Sequence, residues 1–255
     1  MLPAIQRYAA RQSIVGDDTP IARVLPQRDR RMIGAWCFLD HAGPVQFAPT
    51  KGLHVGAHPH IGLQTFTWMI EGEVLHRDSL GYEQIIRPGQ VNLMTAGRGV
   101  AHTEDSLQDG SRLHAVQLWI ALPEAECQRE PAFCNYADLP TFGQGGFRAT
   151  LLAGEFAGRR APTQVFSPLV GLDLSCAGPA SAMLPLDATF EYGALVLRGE
   201  ATVAGESLAA SELLYVAPGR HELAIEAGAA AQILLLGGTP FDEDIMVWWN
   251  FVART

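Results

Sequence analysis

Turn-forming residues recur so closely along this chain that few stretches are long enough for a helix. Its 26 glycines and 16 prolines separate short segments rich in Val, Ile, Leu, Thr and aromatic residues. Among these are LQTFTWMI, QVNLMTA, HAVQLWIAL, EYGALVLRG, ELLYVA and AAQILLLGG. Branched and aromatic side chains suit the pleated surface of a sheet, while Gly and Pro mark the turns between strands. Apolar residues at a 3.6-residue period are scarce, so the expected class is all-β, a sandwich or a barrel. With 255 residues, 48% of them hydrophobic, the chain can bury one large core or two smaller ones.

A weak internal repeat favours two. FTWMIEGEV followed by RPGQVNLMTAGRG is echoed by ALVLRGEATV followed by LAASELLYVAPGR. In each copy an apolar strand runs into a Gly turn and a second apolar strand ends in another, which predicts two copies of one β-barrel. The stretch from Tyr136 to Thr163 is rich in Gly and charge and reads as the connection, placing one domain at 1–139 and the other at 140–255. Near the end, FDEDIMVWWNFV reads as a short helix, with Asp242 and Asp244 where a helix N-terminus favours negative charge. Trp248 and Trp249 are then packing residues.

The net charge of -9, from 27 acidic and 18 basic side chains, repels nucleic-acid phosphate and anionic membrane surfaces, which excludes both as expected partners. Cys37, Cys127, Cys134 and Cys176 show no CxxC spacing and read as thiols in a reducing compartment. No apolar run approaches the roughly 18–20 residues of a membrane span, and MLPAIQRYAARQ lacks the order of a secretion signal. The expectation is a cytoplasmic protein, monomeric because two fused barrels cover one another's apolar faces.

The histidines carry the chemistry. In a strand, residues i and i+2 share a face, so His58 and His60 of HPHIGLQTFTWMIEG project together, as do His102 and Glu104 of TAGRGVAHTED. Cβ atoms of neighbouring strands lie about 5 Å apart, so two such pairs on adjacent strands converge on one ion. Three imidazoles suit Zn, Cu, Fe or Ni; the carboxylate shifts the preference toward Fe(II) or Mn(II), and the absence of Cys donors argues against a closed structural zinc site. Four protein ligands on an octahedral ion leave two positions for substrate, dioxygen or water. His41, His54, His76, His114 and His221 read as loop, strand-surface or hydrogen-bonded residues. Of these, His114 is the best placed to point inward, because it shares a strand face with Val116, Leu118 and Ile120.

LPQRDRRMIGAWCFLDHAGPV, HPHIGLQTFTWMIEG, TAGRGVAHTED and LHAVQLWIALP, in that order, resemble the pirin family of the cupin superfamily. The strongest motifs lie between Arg23 and Pro123, and the repeat extends the match to about Gly238. The resemblance implies a bicupin, two face-to-face barrels of the jelly-roll type, with one non-haem divalent metal in the N-terminal barrel. That metal is usually Fe(II), with Mn, Ni, Cu and Zn as alternatives. The family's ligands fall on His58, His60, His102 and Glu104. The second barrel, where His221 stands alone in APGRHEL, is expected to be metal-free.

The resemblance further implies a dioxygenase of the quercetinase type, opening a flavonol such as quercetin with O2. For that reaction Glu104 is the candidate catalytic residue, accepting the hydroxyl proton by detaching from, or sharing, the ion. The resemblance equally implies an alternative, a non-catalytic, redox-sensing regulator docking a protein partner, because eukaryotic pirins are linked to transcription through such partners. For the enzyme, Phe66, Trp68, Met94 and Trp119 are candidate walls of an apolar substrate pocket. Two departures from the family pattern bear on this choice. Gln64 stands where HPHxxxE predicts a carboxylate, and Ile61 where a polar residue is common.

Overall fold

The computed structural model describes residues 4–254, and they form antiparallel sheets throughout. The only helical element among them is the single 3-10 turn Glu124–Glu126. No helix is long and apolar enough to cross a membrane.

The chain divides into two compact units. The histidine-bearing unit comprises Arg11–Pro26, Cys37–Asp138 and the segment from Asp242 onward. Its seven-stranded sheet runs Ala132–Tyr136, Val91–Thr95, Leu63–Glu71, Arg112–Ala121, Trp36–Gln46, Thr19–Leu25, Arg11–Val15. Its four-stranded sheet runs His54–His60, Val100–Ser106, Val74–Asp78, Glu83–Ile86. Both sheets contribute to one apolar cluster that includes Leu53, Met69, Val74, Ile86 and Leu113, so they pack face to face.

The second unit comprises the segment ending at Ala10, Gln27–Trp36 and Leu139–Phe241. It also has one large sheet, centred on Glu191–Arg198, Ala231–Gly238 and Leu169–Cys176. Its four-stranded sheet runs Ala180–Pro185, Glu222–Ala227, Glu200–Val203, Glu206–Ala209. The repeat in sequence is a repeat in topology. Leu63–Glu71 lies between Val91–Thr95 and Arg112–Ala121 as Glu191–Arg198 lies between Glu212–Val216 and Ala231–Gly238. The two interiors differ. Where the first unit pairs His54–His60 with Val100–Ser106, the second pairs Ala180–Pro185 with Glu222–Ala227, and Ala182, Leu184, Leu223 and Ile225 there join a continuous hydrophobic core. His221 is exposed just ahead of that strand.

The expected C-terminal helix is instead a hairpin, Met246–Trp248 paired with Phe251–Ala253. Branched and aromatic residues meet across it, Val247 opposite Val252 and Trp248 opposite Phe251, and such cross-strand pairs favour a ribbon over a helix. Trp249 takes a positive φ of 51° in the two-residue turn, as tight hairpins require. The hairpin is tied to the end of the His54–His60 strand. Ile61 and Phe251 form an isolated parallel bridge, and the Val252 N–H donates to the Ile61 carbonyl at 3.0 Å. Gly62 permits this approach: its φ is +73°, and a Cβ there would come within 2.2 Å of the Val252 carbonyl oxygen. Trp248 and Trp249 are 66% and 62% exposed, so neither is a packing residue.

Candidate metal centre

The Val100–Ser106 strand organises the site because both its neighbours bring histidines to it. On one side His102 lies opposite His58 and Val100 opposite His60. On the other, His102 lies opposite Asp78 and Glu104 opposite His76. Donor atoms of His58, His60 and His102 lie within 4.8 Å of one another, and so do those of His76, His102 and Glu104. His102 belongs to both groups. Each group has the composition and spacing to hold a metal ion.

The hydrogen bonds select which nitrogen of each ring is free. His58 Nδ1 is 2.8 Å from the Gly56 carbonyl and His60 Nδ1 is 3.1 Å from the Asn250 carbonyl. A carbonyl only accepts, so both rings carry their proton on Nδ1 and leave Nε2 bare. A longer chain acts on His102. His76 Nε2 faces the Asp78 carboxylate at 3.1 Å and donates to it, which leaves His76 Nδ1 as an acceptor, 3.3 Å from His102 Nδ1. His102 therefore donates through Nδ1, and its Nε2 stands 3.2 Å from His60 Nε2. Two bare lone pairs repel at that distance unless a cation joins them. The spacing matches the roughly 3.0–3.4 Å between two nitrogens held about 2.1 Å from one ion. Burial supports the same state, since an apolar surround disfavours the imidazolium form. Burial, reinforced by His58, pulls His60 down to about 3, and burial followed by the neighbouring histidines pulls His102 well below its ordinary value. Burial lowers His58 as well.

These side chains open into a cavity of 430 Å³, within the range of small-molecule sites. His58, His60, His102 and Glu104 line it, whereas His76 stands outside it, behind His102. Its walls are largely apolar, with Ile21, Leu53, Val55, Met69 and Leu113 among them. One wall is aromatic: Phe38 stacks on Trp119 with centroids 3.9 Å apart, and Trp119 meets His60 edge-on at 5.1 Å. Arg23 and Asp40 enter the lining as an ion pair, joined by bonds of 2.8 and 2.7 Å. Trp249 and Asn250 bring the hairpin tip to the lining. Burial first, then Asp105, push the Glu104 carboxyl up to about 7 against an opposing bond from Thr67.

His58, His60, His102 and Glu104, the two same-face pairs expected from the sequence, all line this cavity, but Glu104 lies within 4.8 Å of His76 and His102 rather than in the His58, His60 and His102 group. His76, read as a plain strand residue, proves to belong to the cluster; its signal was the His76-Arg77-Asp78 alternation, which puts an acceptor on the same face. His114 is buried but meets His41 at 2.8 Å, Nε2 to Nε2, away from the cavity lining. His54 pairs with Asp105 at 3.2 Å. Of the expected walls only Trp119 lines the cavity. Phe66 and Trp68 alternate with Thr67 and Met69, which do line it, so strand periodicity sends them to the opposite face. Met94, opposite Thr65, is buried in the core. Gln64 shares the outward face with Phe66 and donates to Thr95 Oγ1 at 2.9 Å. The missing family carboxylate therefore falls outside the cavity.

Two units of paired antiparallel sheets, one hollow and rimmed with histidines, define a double cupin. The Pirin family model matches residues 18–120, and that of the Pirin C-terminal cupin domain matches residues 171–255. This chain belongs to the pirin family. It is 55% identical to a Pseudomonas aeruginosa protein named "Putative quercetin 2,3-dioxygenase", over 98% of this chain and 80% of that protein. The crystal structure of a quercetin 2,3-dioxygenase from Acinetobacter baumannii superimposes with a TM-score of 0.96 at 50% identity, covering 98% of this chain and 84% of that one. A bacterial pirin from Escherichia coli, solved in complex with nickel(II), has the same fold at 20% identity, with a TM-score of 0.73 and coverage of 93% and 100%.

Proposed function

We propose that this chain is a metal-dependent dioxygenase that opens a flavonol-type ring with O2, holding one divalent transition metal through His58, His60, His102 and Glu104. The observation that carries the reading is the convergence of bare, uncharged Nε2 atoms and a carboxyl on one apolar cavity. The names of the P. aeruginosa and A. baumannii relatives supply the substrate class. Neutral imidazoles and a carboxylate are donors for Fe(II), Mn(II), Ni(II), Cu(II) or Zn(II), and the family resemblance puts Fe(II) first.

When bound, the ion supplies Lewis acidity that makes a substrate hydroxyl easier to ionise and brings it beside O2. The chain supplies the rest. The stacked Phe38 and Trp119 rings give a planar aromatic substrate a flat wall. Ile21, Leu53, Val55 and Leu113 keep water from the reacting ring. By detaching from, or sharing, the ion, the Glu104 carboxylate would accept the hydroxyl proton. Gln64, whose missing charge leaned toward the regulator reading, lies off the cavity lining.

The test is to load the purified protein with Fe(II), Mn(II), Ni(II), Cu(II) or Zn(II) in turn and follow quercetin absorbance together with oxygen uptake. Equimolar loss of flavonol and oxygen, abolished by His58→Ala, supports the dioxygenase. No turnover with any of the metals rejects it.

A further inference from the structure

We propose that His76 and Asp78 are positioning residues: a two-bond chain behind His102 that sets its tautomer and keeps its cavity-facing Nε2 bare. The inference rests on the metal reading above and extends it to residues outside the ligand set.

The chain starts from a carboxylate that cannot turn. The Asp78 side chain is 0% exposed, and its Oδ1 accepts from the backbone N–H groups of Leu80 and Tyr82 at 2.9 and 3.0 Å. Only Oδ2 remains for His76 Nε2, at 3.1 Å. The His76 ring is itself clamped, stacked on Phe133 with centroids 4.4 Å apart and planes 14° from parallel. Its Nδ1 can then only accept, and the atom 3.3 Å away is His102 Nδ1. Strand register builds the whole arrangement, since Asp78 and His76 lie opposite His102 and Glu104 on the adjacent strand. Carboxylate and histidine partners of this kind orient a ligand ring and raise its basicity, and their loss costs about 10–100-fold in metal affinity.

The same geometry bears on the second trio, in which His76 would share an ion with His102 and Glu104. That arrangement needs His102 to turn its Nδ1 lone pair to the ion. Its Nε2, beside His58 and His60, is the atom on the cavity side. Orientation of His102 is therefore the role that fits every bond His76 makes.

Asp78→Asn tests this with little change in shape. The two backbone N–H groups hold the amide oxygen at the Oδ1 position, so the new NH2 faces His76 Nε2 as a donor. His76 must then carry its proton on Nδ1, facing His102 Nδ1, and His102 must move its own proton to Nε2. His76→Leu removes the acceptor altogether, while His76→Asn places an amide oxygen close to where Nδ1 stood. The readouts are imidazole ¹⁵N spectra of the metal-free protein and Zn(II) affinity by chelator competition, with thermal melts to confirm folding. The expected results are an Nδ1–H His102 in the unsubstituted protein and an Nε2–H His102 in Asp78→Asn. Zn(II) affinity should fall about 10–100-fold in Asp78→Asn and His76→Leu, with His76→Asn regaining most of it. The proposal is overturned if Asp78→Asn keeps the ¹⁵N pattern and Zn(II) affinity while His58→Ala still weakens Zn(II). If the unsubstituted protein takes up none of Zn(II), Ni(II) or Fe(II), the metal reading itself falls, whatever the ¹⁵N pattern.

Discussion

His60 Nδ1 is held at 3.1 Å by the backbone carbonyl of Asn250, a residue 190 positions further along the chain. The C-terminal hairpin is therefore part of the candidate metal centre. Arg254 secures it through an ion pair with Glu243, one with Glu124 at 3.1 Å, and a bond to the Leu122 carbonyl.

A chain ending at Asp244 loses the Asn250 carbonyl and uncovers the cavity beside Trp249. Its Zn(II) affinity is expected to fall about 10-fold or more, in line with loss of a group that orients a ligand. Chelator competition on both proteins measures this. Equal affinities would mean that water replaces the carbonyl without loss.

Removing the proposed carboxylate ligand is expected to act differently from removing its charge alone. Glu104→Ala takes away the donor, whereas Glu104→Gln keeps an oxygen but no charge. Metal content by elemental analysis should fall in the order native, Gln, Ala. Full occupancy in Glu104→Ala would remove this residue from the ligand set.

His41 sits against His114 in the core, and burial, with a lesser effect of His114, pulls its pKa down to about 4. Unfolding returns it to about 6.5 and takes up a proton between those values, so its contribution is present above pH 6.5 and is lost as pH falls toward 4. The loss is about 3 kcal/mol at most for this residue. Urea unfolding at pH 7 and pH 4.5 reads it, and His41→Gln should flatten the dependence. An unchanged slope in that variant would assign the acid sensitivity to other groups.

Thiol reactivity should divide the cysteines by burial. Cys37 is fully enclosed and burial pushes it up to about 12, whereas Cys134 is exposed and Cys176 partly so. Iodoacetamide followed by mass mapping should modify Cys134 and Cys176 in the folded protein, and Cys37 only after denaturation. Rapid native labelling of Cys37 would show that this core opens readily.

The pairing of His58 with His60 and of His102 with Glu104 was legible because the direction of a side chain along a strand alternates locally, whatever the strand's neighbours. The repeat was legible for the same reason, each copy carrying its own strand and turn residues. Phe66 and Trp68 show where such reading stops. Both faces of Leu63–Glu71 are buried, so hydrophobicity does not tell which one meets the cavity. The hairpin was misread because Asp242 and Asp244 look like a helix start, while the pairing of Val247 with Val252 and the bridge from Phe251 to Ile61 involve partners in space.

By itself, the sequence determined an all-β chain with a doubled pattern and two same-face donor pairs, because those properties depend on residues close together along the backbone. Only the tertiary structure decided that His76 and Asp78 stand behind His102, that Asn250 holds His60, and that Gln64 faces away from the cavity. Each of those depends on strand register and on the meeting of distant segments, which no local pattern encodes.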